Sequence, residues 1–78
     1  MLFGSFLKNA RESKGITQQE ISDKLGFSSP QFISNCERGV ANLPPKHFKP
    51  VSKMIGIDTE RLIKLYIKDF EMRVRKSV

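Results

Sequence analysis

The chain has 78 residues and a mass of 8.9 kDa, with 14 Lys and Arg against 8 Asp and Glu, a net charge of +6 and a pI near 9.8. A domain of this length buries only about 60% of its unfolded surface, which leaves little room for a large enzyme cleft. One cysteine, Cys36, excludes an intramolecular disulfide framework, and Cys36 with the single His47 falls short of a structural zinc site.

Glycines at 15, 26, 39 and 56 each close a stretch with helical periodicity. The first stretch covers about 5–14, with Phe6, Leu7 and Ala10 on one face and Lys8, Arg11 and Glu12 between them. The second opens on Thr17-Gln18-Gln19-Glu20, a capping box in which the Thr17 hydroxyl accepts from the Glu20 amide and the Glu20 carboxylate accepts from the Thr17 amide. Ile16 and Ile21 flank it as a hydrophobic staple, and Ile21 and Leu25 point inward. Ser28-Ser29-Pro30 opens the third helix, because proline at the first helical position gives up an amide that has no partner there anyway. Ile33 and Cys36, three apart, face the core, and Gln31, Phe32, Ser34, Asn35 and Arg38 take the outer surface.

Asn42-Leu43-Pro44-Pro45 is a loop. A fourth helix is expected over about 46–55, with Phe48, Val51, Met54 and Ile55 inward. Pro50 must then fall in its first turn, moving the start to 47–49, or kink it. Asp58 caps a last helix over about 58–74, and Ile57 and Leu62 form a second staple. No strand pattern or internal repeat interrupts this order, so the fold class is all-α in a single domain over 1–78. The opening Met1-Leu2-Phe3-Gly4-Ser5-Phe6-Leu7-Lys8 is too short and broken for a secretory signal, and no run reaches transmembrane length. A cytoplasmic location is therefore expected. The basicity points to an anionic partner, nucleic acid first and a membrane surface second.

The capped helix, glycine turn and short helix over 17–38 have the layout of a helix-turn-helix. Thr17-Gln18-Gln19-Glu20-Ile21-Ser22-Asp23-Lys24-Leu25-Gly26 resembles the second-helix signature of the Cro-like phage-repressor family. Glu37-Arg38-Gly39 resembles the end of its recognition helix, and Ile55-Gly56-Ile57-Asp58 the close of its fourth helix. The resemblance covers roughly 5–60 in consistent order. Two departures stand out: the interval from Gly26 to Gly39 is one residue longer than the commonest spacing, and Cys36 replaces a bulkier apolar residue. Aligned from Glu37-Arg38-Gly39, Ser29 becomes the cap and Ile33 the buried residue of the recognition helix.

The resemblance implies a compact five-helix, lambda-repressor-like domain whose helix at about 30–38 enters the major groove of double-stranded DNA. Gln31, Phe32, Ser34 and Asn35 are then the base-reading residues. Gln and Asn can bond adenine bidentately and Phe32 can meet a thymine methyl, although Phe32 equally suits packing against a neighbouring helix. Gln18, Ser29, Arg38, Lys46 and Lys49 are the expected phosphate contacts, and Lys53 is equally a solvated cation. Arg11 and Glu37 match a buried ion pair of the family. Leu62, Ile63, Tyr66, Ile67 and Phe70 form an apolar stripe broad enough to serve a homodimer on a two-fold operator. The expected function is a transcriptional regulator, a repressor, of the size of the controller proteins of restriction–modification systems. The alternative is a protein-interaction module such as an antitoxin or adaptor. No catalytic constellation, metal site or cofactor motif is visible.

Overall fold

The computed structural model describes residues 2–77, with Met1 and Val78 outside the described residues. Five α-helices follow one another: α1 (Leu2–Ser13), α2 (Gln18–Leu25), α3 (Gln31–Glu37), α4 (Phe48–Ile55) and α5 (Thr59–Ser77). A 3₁₀ turn (Pro45–His47) leads into α4, and no strand occurs among the described residues. The all-α, five-helix expectation is borne out.

Local chemistry sets the boundaries. The capping box forms in both directions, Glu20 N to Thr17 Oγ1 at 3.0 Å and Thr17 N to Glu20 Oε1 at 2.8 Å. Gly26 ends α2 at φ 85°, a left-handed conformation that costs an L side chain about 1 kcal/mol or more. Pro50 is the third residue of α4, where its missing N–H is among those with no intrahelical acceptor, so the helix starts late and does not kink. Three expected ranges shift: α1 begins at Leu2 instead of Ser5, α3 is Gln31–Glu37 instead of 30–38, and α5 runs to Ser77 instead of Val74, while α4 begins at Phe48, within the later start that Pro50 requires.

Every helix contributes to one core: Phe3 and Leu7 from α1, Ile21 from α2, Ile33 and Cys36 from α3, Phe48, Val51 and Ile55 from α4, and Leu62 from α5, with Leu43 from the loop. Phe3, Phe48 and Tyr66 meet pairwise at ring-centroid distances of 5.2–5.9 Å and join α1, α4 and α5. α1 touches α3, α4 and α5, so it is the post on which the helix-turn-helix is mounted.

Ser22 is fully buried on α2 and its hydroxyl has no hydrogen-bond partner among the described residues. An unpaired buried hydroxyl carries a desolvation cost of about 1–3 kcal/mol. Ser22→Ala is therefore expected to raise the melting temperature by several degrees, read by circular dichroism. A lower melting temperature would mean that the hydroxyl has a partner after all.

Candidate nucleic-acid interface

α3 is held in place from beneath and from behind. Ile33 and Cys36 sink into the core, and burial followed by the Glu37 charge pushes the Cys36 thiol up to about 11, so it stays protonated at neutral pH. At the far end of the helix, Glu37 is 7% exposed and Arg11 8%. Arg11 Nε donates to Glu37 Oε2 at 2.6 Å and Arg11 Nη2 to Oε1 at 3.2 Å, a bidentate fork. Arg11 Nη1 donates to the Ile16 carbonyl at 2.8 Å, which fixes the turn before α2 as well. The hydrogen bond to Glu37 raises the Arg11 pKa against the opposing effect of burial.

Gln18 completes this cluster. Its Nε2 donates to Glu37 Oε1 at 2.9 Å. One N–H of the side chain expected on a phosphate is thus taken up by the ion pair. One carboxylate ties α1, the start of α2 and the end of α3 together. Gly4 provides the other part of the joint. A Cβ built there would fall on the Glu37 carbonyl oxygen and lie 2.8 Å from that of Cys36, so the α1 backbone lies directly against the last turn of α3. Sequence reasoning missed this role. The available signal was a glycine near an otherwise apolar helical face, which marks a close backbone approach as readily as a helix boundary.

The outer face of α3 carries a hydrogen-bonded row. Gln31 Nε2 donates to Asn35 Oδ1 at 2.9 Å, and Arg38 Nη2 donates to the same oxygen at 2.6 Å. Gln31 and Arg38 are exposed and Asn35 half-buried. Arg38, expected on the backbone of the duplex, shares this face with Gln31 and Asn35, expected to read bases. Ser34 is half-buried, and Ser29 Oγ accepts from the Gln31 amide at 3.4 Å, with Pro30 already in helical geometry at φ −76° and ψ −3°. Phe32 is half-buried and packs on Phe27 at 4.8 Å, which in turn meets His47 at 5.4 Å. Lys46 and Lys49 are exposed beside that aromatic cluster. Burial and the charge of Lys46 lower the His47 pKa.

The expected stripe on α5 divides into two parts. Leu62 is fully buried in its own core and cannot serve a partner, a correction to its expected place in the interface. Tyr66 is half-buried against Phe3 and Phe48, and Ile63 is half-buried. Ile67, Phe70 and Val74 are 59%, 53% and 46% exposed. Asp69, among them in sequence, is buried and lies 3.7 Å from Arg73, which also reaches Asn42 at 3.3 Å and secures the loop after α3.

Among the described residues no three His, Cys, Asp or Glu side chains are placed to hold a metal, and no helix is long and apolar enough to cross a membrane. Residues 4–68 match a family model described as a helix-turn-helix domain. Two curated proteins are similar. One is the SPbeta prophage-derived uncharacterized HTH-type transcriptional regulator YonR of Bacillus subtilis (strain 168), 36% identical over 63 residues, 81% of this chain and 57% of that protein. The other is the uncharacterized HTH-type transcriptional regulator y4dJ of Sinorhizobium fredii (strain NBRC 101917 / NGR234), 32% identical over 62 residues, 80% of this chain and 79% of that protein. The chain thus spans little more than half the length of the Bacillus relative. No solved structure matches it.

Proposed function

The chain belongs to the helix-turn-helix family, and from that premise we propose that it is a sequence-specific regulator of transcription that reads double-stranded DNA with α3. The observation that carries this reading is the Gln31–Asn35–Arg38 row. It presents amide and guanidinium groups outward from a helix whose other side is locked by Ile33, Cys36 and Glu37. Amide side chains can satisfy both adenine N6 and N7, and the guanidinium can satisfy guanine O6 and N7. Ser34 and the free part of Phe32 complete the reading face, while Ser29, Lys46 and Lys49 hold phosphates. The chain acts as a homodimeric repressor on a two-fold operator and blocks the promoter by occupying it.

Selection from random duplex DNA tests the reading residues. Wild-type protein should enrich a symmetric site. Gln31→Ala should relax one base position in each half-site, with a loss of about 1–3 kcal/mol on the parental site. An unchanged preference at every position would remove Gln31 from base reading.

The exposed part of α5 supports the dimer. Phe70→Asp should convert a concentration-dependent dimer in sedimentation to monomer, while the melting of the monomer changes by less than about half a kcal/mol. A wild-type chain that stays monomeric at high micromolar concentration, yet binds its site, would refute the dimer. The same apolar face favours the protein-interaction reading if the wild type enriches no duplex sequence.

A further inference from the structure

A groove between α2 and α4 is lined by Lys24, Lys49, Pro50, Lys53 and Met54. No carboxylate lines it, and none of its three lysines forms an ion pair among the described residues. Lys49 and Lys53 are one turn apart on α4, a rise of about 6 Å, and Lys24 faces them from the last turn of α2. Three cations held together without a counter-charge repel one another, and an anion relieves that cost. The groove also has a direction. Phe27 packs on both Phe32 of α3 and His47 beside Lys46, so the basic row begins next to the amino-terminal end of α3 and leads away from it.

We infer that Lys24 and Lys53, with Lys49, form a rail for the phosphates of a duplex beyond the base pairs that α3 reads. Lysine suits this task as a flexible point charge that neutralises phosphate without selecting a base. The continuity with α3 favours the DNA backbone over an acidic protein. The inference rests on the DNA-binding reading and adds to it a footprint longer than the read site.

The test uses the full chain with Lys24→Gln and Lys53→Gln together, checked for unchanged melting. Binding is read by fluorescence anisotropy on two duplexes, the selected site alone and the same site with longer flanks, between 50 and 200 mM salt. Each phosphate contact adds about 0.9 to the slope of log affinity against log salt. Losing two from each protomer, four in the bound dimer, should therefore remove about 3.6 from the slope on the flanked duplex. Across that salt range the wild type should fall roughly 150-fold further than the double variant. On the short duplex the two proteins should behave alike, and the preferred sequence should not change. An equal slope for both proteins on the flanked duplex overturns the rail and leaves the DNA reading intact. So does a loss that is the same on both duplexes. A wild type with no salt-dependent duplex binding overturns the DNA reading and the rail with it.

Discussion

Glu37→Ala is expected to destabilise the folded chain by about 3–5 kcal/mol, which for a domain of this size lowers the melting temperature by more than about 10 °C. The loss comes mainly from what remains behind. Arg11, 8% exposed in the parent fold, is left with only the Ile16 carbonyl and a 3.9 Å approach to Glu12 for company. A buried guanidinium without its carboxylate bears the full desolvation cost, and Gln18 loses its acceptor as well. The intact pair is a different quantity. Its attraction is largely offset by the cost of taking both charges out of water, so its net contribution to stability is small. The double variant Arg11→Met with Glu37→Leu should therefore be more stable than Glu37→Ala alone. Urea or thermal melts of the three proteins decide the matter. A loss under half a kcal/mol for Glu37→Ala would place the pair in solvent. Stability recovered in the double variant without recovered DNA affinity would show that the ion pair serves chiefly to aim α3. Three segments converge on that one carboxylate, so the aim of the helix depends on it more than the core does.

The residues that were legible in the sequence are those whose partners lie within a turn or two. The capping box at Thr17 and Glu20, the inward positions Ile33 and Cys36, and the glycine at the end of α2 each follow from spacing and backbone chemistry alone. Gln18 illustrates the opposite case. Its partner is 19 residues away, and nothing near it in the chain distinguishes an amide bound to Glu37 from one free for phosphate. The stripe on α5 divides for a related reason. Helical periodicity makes Leu62, Tyr66 and Phe70 equivalent, and only the packing of distant helices buries Leu62, half-buries Tyr66 against Phe3 and Phe48 and leaves Phe70 exposed. Gly4 is a further case, because its role inside α1 is a close contact with the end of α3, 33 residues away in the chain. Charge followed the same pattern. Residues 1–39 hold five basic against four acidic side chains, and residues 40–78 nine against four. The half of the chain that holds α2 and α3 is therefore nearly neutral, and the cations lie mostly on the helices that follow.

That contact carries the second large effect. Gly4→Ala should destabilise the chain by about 1–3 kcal/mol, although alanine is the better helix former by up to about 1 kcal/mol. The two terms oppose each other, and the geometry decides between them. The new methyl group would land on the backbone of Glu37 and Cys36, where no side-chain rotation can relieve it. α1 and the end of α3 would have to separate, and that movement pulls on the fork between Arg11 and Glu37, since Arg11 lies on α1 and Glu37 closes α3. The Gly4→Ala and Glu37→Ala losses should consequently fall short of additivity, because each variant already releases part of what the other would release. The neighbouring exposed Ser5 is the control, and Ser5→Ala should stay within about half a kcal/mol of the parent. Melting curves give the stabilities, and duplex affinity measured well below the melting range separates a displaced α3 from a partly unfolded one. A Gly4→Ala chain as stable as the parent would show that α1 can withdraw from α3 at no cost, and the close approach would then play no part in holding α3.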